Sequence, residues 1–135
     1  MKNPTFAGEI QAARRILETA DIHPHLPETL ISPRAHEDLF SWALRELTTN
    51  VVRHSGASHC WVFLSENSLQ VTDNGDGFTE DASRALAAGL TGLGGLRRRA
   101  HDVGGDLIIQ RAEGLTSVLL TLDGVRHIAV SYTHL

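Results

Sequence analysis

Apolar residues recur along the chain at spacings that predict three amphipathic helices and five strands. Ala7 to Ala20 carries Ile10, Ala13 and Leu17 at helical intervals, which predicts a short helix with one buried face. Ile22 to Leu26 is interrupted by Pro24 and predicts at best a short edge strand. Pro27 and Pro33 bound a loop. From about Arg34 to Ser55 the chain predicts its longest helix, with Phe40, Leu44, Leu47 and Val51 as the buried stripe and Gly56 as terminator. Cys60 to Leu64 and Leu69 to Thr72 predict two strands joined by a turn at Glu66-Asn67-Ser68. Glu80 to Ala88 suits a short helix within a mobile stretch running from Phe78 to Thr91. Leu93 to Val103 predicts another helix, with Leu93, Leu96, Ala100 and Val103 inward and Gly104-Gly105 ending it. Leu107 to Gln110 and Ser117 to Leu122 form a closing hairpin. The expected fold is α+β: a two-layer sandwich whose mixed, mainly antiparallel sheet is covered by helices on one face.

With 135 residues, the chain suits one domain, placed at 1–129, with 130–135 expected to be a non-native or disordered tail. A net charge of −4 gives no broad basic surface, so nucleic acid is not an expected partner. A single cysteine, Cys60, rules out a disulfide within the chain and suits a reducing compartment. No apolar run approaches a membrane span, so direct membrane contact by this chain is not expected. The expected location is cytoplasmic, within a parent protein that could itself be membrane-anchored, and the isolated chain is expected to be monomeric.

Three polar constellations interrupt the apolar pattern. On the long helix, at about 100° per residue, Glu46, Asn50 and Arg53 fall within roughly 60° of one another and flank the buried stripe. An amide oxygen there suits magnesium, a carboxylate can orient an attacking group, and an arginine can meet a phosphate. Taken alone, the triplet better fits a solvated helix edge, and His54 equally fits a histidine capping the helix end. After the second strand, Asp73-Asn74-Gly75-Asp76-Gly77-Phe78 places a carboxylate, suited to accept from an exocyclic amine, beside glycines that allow close backbone approach. By itself this stretch also reads as a surface turn. It is not an EF-hand, because the closing glutamate and flanking helices are missing. Third, Gly92-Leu93-Gly94-Gly95 opens a helix followed by Arg97, Arg98 and Arg99, which could form an anion site or merely a linker before a basic face. No Gly-Lys-Ser/Thr follows, and no parallel βαβ unit surrounds it, which excludes a Walker loop and argues against a Rossmann turn.

In order and spacing these segments resemble the N, G1 and G2 boxes of the GHKL ATPases, a superfamily with the Bergerat fold that includes histidine kinases, gyrase B and MutL. The nearest resemblance is to NarL/DesK-like sensor kinases, with their R-E-x-x-x-N-x-x-R-H-S, D-x-G-x-G, G-L-x-G-[ML]-R-x-R and G-G stretches. Here these are Arg45 to Ser55, Asp73 to Gly77, Gly92 to Arg99, and Gly104-Gly105. The resemblance implies Mg²⁺-ATP as ligand, with Asn50 holding magnesium and Glu46 polarising the attacking group. Arg53 and His54 would approach phosphates, Asp73 would fix adenine with Thr116 in support, and Gly75, Gly77 and Phe78 would line the nucleotide. Gly92, Leu93, Gly94 and Gly95 would belong to the phosphate loop. Leu90 and Leu115 stand where the family often has glycine. No histidine here has the setting of a phospho-acceptor, so the resemblance implies a dimerisation domain bearing that histidine, and a response regulator, as partners in the complete system. Two other functions fit the same motifs: a serine kinase that binds a sigma factor, and a nucleotide-binding module without turnover.

Overall fold

The computed structural model describes residues 6–29, 31–77 and 92–122. The expected helix over Glu80 to Ala88, the stretch from Phe78 to Thr91 and the 130–135 tail lie outside these residues. The order is α1 (Phe6–Thr19), β1 (His23–His25), α2 (Glu37–Asn50), a π-helical turn (Val51–Ser55), β2 (His59–Leu64), β3 (Ser68–Asp73), α3 (Gly92–Asp102), β4 (Asp106–Ala112) and β5 (Leu115–Thr121). The five strands form one sheet in the order β1-β2-β3-β5-β4. Only β1 and β2 run parallel; the other pairs are antiparallel.

The long helix differs from its expected span at both ends. His36 has a left-handed backbone, φ 56°, so α2 starts at Glu37 instead of Arg34. At its other end the α-helical repeat stops at Asn50 and the chain widens into the π turn before Gly56, φ 64°, terminates it. The angular spacing assumed for Glu46, Asn50 and Arg53 therefore holds only for the first two. π turns of this kind recur at functional sites because they re-aim side chains without ending the helix.

The register shows why the core sits where it does. Because side chains alternate across a strand, paired residues form rows on one face. On the covered face, Leu64, Leu69, Leu120 and Leu107 make one row, and Val62, Val71, Val118 and Ile109 the next. Against these rows pack Phe40, Leu44, Leu47 and Val51 of α2 and its π turn, Ile10, Ala13 and Leu17 of α1, and Leu93, Leu96 and Ala100 of α3, all buried. Val103, expected inward, is exposed instead, because α3 ends at Asp102 and Val103 turns away toward Gly104. The opposite face carries His25, Trp61 and Phe63, with Phe63 53% exposed. There the His25 ring stacks on Trp61 at 5.1 Å between centroids, and its Nε2 lies 2.9 Å from His59 Nδ1.

Two polar contacts tie α1 to the start and middle of α2. The Phe6 N–H donates to Glu37 Oε1 at 3.1 Å, and the buried Glu9 carboxylate pairs with the exposed Arg45 guanidinium. Glu9 thereby escapes being an unpaired buried charge. The β4–β5 hairpin closes through Glu113 and Gly114, both with positive φ (55° and 78°), as a two-residue turn of the primed type demands. Leu115 pairs with Ala112 in the ladder as the first residue of β5, so no glycine is required there.

Gly105 joins α3 to β4 at a close approach: a Cβ added there would lie 2.2 Å from the Thr121 carbonyl oxygen. Since that atom is backbone in the ladder, it cannot move aside cheaply. Gly105→Ala should destabilise the fold by about 2–3 kcal/mol. Gly95, on α3, has only an ordinary 3.7 Å contact waiting with Trp42. Gly95→Ala should therefore be neutral or stabilising by up to about 1 kcal/mol. Paired urea melts check both; equal midpoints for the two variants would contradict the packing argument.

Candidate active site

Beyond the two apolar rows, the covered face of the sheet ends in a polar one. Cys60 on β2, Asp73 on β3, Thr116 on β5 and Arg111 on β4 are successive register partners. Cys60, Asp73 and Thr116 are buried, while Arg111 lies at the exposed outer end. Asp73 is the last residue of its strand, so its carboxylate closes the apolar core and opens the glycine loop. Among the described residues its Oδ1 accepts from the Gly75 N–H at 2.8 Å, and no donor is placed on Oδ2. Burial pushes the Asp73 carboxyl above its ordinary range, and the Gly75 N–H and the Arg111 guanidinium pull it back. Burial and the neighbouring Asp73 together push the Cys60 thiol up to about 12, so it stays neutral and serves as packing.

The loop after Asp73 is held from two sides. Asn74 Oδ1 accepts from the N–H groups of Ser58 and His59, both at 2.9 Å, and its Nδ2 donates to Ser58 Oγ at 2.9 Å. The side chain thereby fastens the start of β2 to the end of β3. Gly77 has φ 81°, a conformation that L side chains rarely adopt, and a Cβ there would meet Arg111 Nη1 at 2.9 Å. Sequence reasoning named Gly75 and Gly77 but missed Asn74 and Arg111. Arg111 lacks a motif of its own; its even spacing from Leu107 and Ile109 on β4 was the only signal that it shares their face.

Glu46 and Asn50 sit one turn apart on α2, both half-buried. The first of them meets the third constellation directly. A Cβ added to Gly92 would fall 2.2 Å from Glu46 Oε2, so the opening residue of α3 lies against that carboxylate. Trp42, one turn before Glu46, abuts Gly95 and carries the Arg99 guanidinium 5.1 Å above its ring. Leu93 is buried in the core, which leaves only its backbone for any ligand, and Gly94 is buried beside it. Arg53 lies exposed on the π turn. His54 belongs to the same turn, and Phe78 falls outside the described residues. The fold thus brings Glu46 to Gly92, and Asp73 to Gly75, Thr116 and Arg111.

This architecture and these motifs agree with the known proteins the chain is similar to. Residues 35–126 match the family described as "Histidine kinase-, DNA gyrase B-, and HSP90-like ATPase". Sensor histidine kinase LiaS of Bacillus subtilis is 36% identical over 98 residues, 70% of this chain and 26% of its own length. Sensor histidine kinase DesK of the same organism is 31% identical over 121 residues, 84% of this chain and 32% of its own. The chain therefore spans about a quarter to a third of the length of these relatives. Among solved structures, the ATP binding domain of PrrB from Mycobacterium tuberculosis aligns with TM-score 0.64 at 18% identity, covering 89% of this chain and 94% of that one. Histidine kinase AdeS of Acinetobacter baumannii aligns with TM-score 0.65 at 18% identity, over 89% of this chain and 66% of that one; at such identity both show a shared fold. With the family match spanning well over half of its residues, the chain belongs to the histidine kinase-, DNA gyrase B- and HSP90-like ATPases.

Proposed function

We propose that the chain is the ATP-binding catalytic domain of a sensor histidine kinase, acting on a histidine carried by a separate dimerisation domain that in turn supplies a response regulator. The observation that carries this reading is the buried polar row at the end of the sheet. A carboxylate whose Oδ2 has no donor among the described residues, at the mouth of an apolar core, is suited to accept from the exocyclic amine of adenine. The neighbouring Thr116 hydroxyl and the glycine loop offer polar atoms and close backbone approach on either side.

The phosphates belong, in this reading, between α2 and the start of α3. The Gly92 backbone beside Glu46 gives a surface with no Cβ in the way, and the positive end of the helix dipole favours anions there. Among the described residues no cluster of three His, Cys, Asp or Glu side chains could cage a metal. The donor set fits magnesium nonetheless, because that ion commonly takes one or two protein oxygens and completes its shell with phosphate oxygens and water. Asn50 would supply the protein oxygen, and the ion's charge would offset that developing on the transferred phosphoryl group. Glu46, one turn earlier on the same helix, would hold and polarise the incoming nucleophile by accepting its proton in a hydrogen bond.

Titration calorimetry on the full chain tests the assignment. Wild type should bind ATP more tightly than GTP, and Asp73→Asn should weaken ATP by about 1–3 kcal/mol while leaving the melting transition nearly in place. Equal affinity of wild type for the two nucleotides would overturn the adenine reading. Asn50→Ala should lose most of the difference between ATP binding with and without magnesium; an undiminished difference would remove Asn50 from the metal's shell. In Gly92→Ala the Glu46 carboxylate must swing aside, which a flexible side chain does at little cost in stability. Transfer to the dimerisation domain, supplied separately, should nevertheless fall on the order of 100-fold. A wild-type transfer rate in this variant would show that the position of Glu46 does not matter to the reaction.

A further inference from the structure

Arg111, like Cys60, is a member of the polar row that no motif accounts for, and it makes hydrogen bonds to two other parts of the site. Its Nη1 donates to the Gly75 carbonyl oxygen at 2.9 Å and to Thr116 Oγ1 at 2.5 Å. One nitrogen thus bridges the glycine loop and the last strand, using both of its N–H bonds. It also lies flat along the loop, because Gly77 has no Cβ to hold it off: that atom would come within 2.9 Å of Nη1 and 3.0 Å of Cδ. We infer that Arg111 is a positioning residue for base recognition, fixing the glycine loop through the Gly75 carbonyl and orienting the Thr116 hydroxyl so that its proton points to the base held by Asp73. The inference rests on the adenine reading of the pocket given above.

Two consequences follow from the chemistry. A threonine hydroxyl that accepts from a guanidinium has its own proton left to donate, so Thr116 presents a donor beside Asp73, which presents an acceptor. That pair matches adenine, whose amine and ring nitrogen offer a donor next to an acceptor. It mismatches guanine, which presents a carbonyl oxygen in place of the amine. The match also requires Asp73 to stay ionised despite burial. The charged side chain acting on it among the described residues is Arg111 from β4, and Cys60 from β2 is its register partner. Cys60 is neutral over the working range, which leaves Arg111 as the cation that offsets desolvation. Without it, the carboxyl would take up a proton at higher pH and become a donor, and discrimination against guanine would fade from that pH downward.

The test is calorimetric binding of Mg²⁺-ATP and Mg²⁺-GTP to the full chain, wild type and variants, from pH 8 to pH 5. The series runs downward in pH because burial raises the Asp73 carboxyl, so that protonation is approached from the high-pH side. Arg111→Met should weaken ATP roughly tenfold, the net worth of about one hydrogen bond, and should narrow the ATP-to-GTP ratio. Its loss of ATP preference should set in at higher pH than in wild type. Arg111→Lys, which keeps the charge, should hold the wild-type pH profile while recovering only part of the affinity. Should Arg111→Met fail to fold, Arg111→Gln, polar but uncharged, is read by the same criteria. A purely structural arginine would lower the melting temperature without changing the base ratio or its pH profile, and that result in the neutral variant overturns the inference alone. Wild type without adenine preference overturns the pocket reading and the inference together.

Discussion

A carboxylate placed on the core-facing side of a sheet, one row past the last apolar row, is the constraint around which the molecule is organised. Burial penalises the charge of Asp73, and the structure offsets that penalty with a hydrogen bond from the Gly75 N–H and the positive charge of the nearby Arg111 guanidinium. The strand ends at Asp73. The chain then turns at Asn74, whose side chain takes over the hydrogen bonds that a longer ladder would have made. The apolar rows of leucine and valine stabilise the fold, and the polar row at their end sets the buried Asp73 and Thr116 against that core.

Glycines mark the contacts at which backbone has to approach something else. At Gly92 the neighbour is the Glu46 carboxylate, at Gly77 it is the Arg111 guanidinium, and at Gly105 it is the carbonyl of Thr121. These three have different meanings. A clash with a flexible side chain moves that side chain and alters chemistry; a clash with a ladder carbonyl damages the fold. The distinction separates glycines that serve the site from those that serve the scaffold, although all three lie in Gly-rich stretches of similar appearance.

The covered and open faces of the sheet also differ in what they demand. On the covered face, Phe40, Leu44 and Leu47 of α2 must reach the valine and leucine rows, which fixes the rotation of the helix. Glu46 and Asn50 are carried along by that rotation to its margin, where both are half-buried. The π turn then frees Arg53 from the same rotation. The helix is thereby held by its apolar side and available by its edge.

Much of this was legible in the sequence because it depends on local periodicity. The stripes of α1, α2 and α3, the alternation of β2 and β3, and the Asp73 glycine loop are patterns within a dozen residues, and backbone geometry alone converts them into faces. The order of the motifs was enough to point to the family. Other features required the tertiary structure, because they arise between segments distant in the chain. The start of α2 at Glu37 follows from a left-handed His36, and the α-helix gives way to a π turn at Val51, neither of which has a residue pattern. The apposition of Glu46 with Gly92, and the meeting of Arg111 with Gly75 and Thr116, join residues brought together by strand order and register. A sequence shows which face a residue takes within its own element; only the pairing of β3 with β5 and β5 with β4 decides which residues on that face become neighbours.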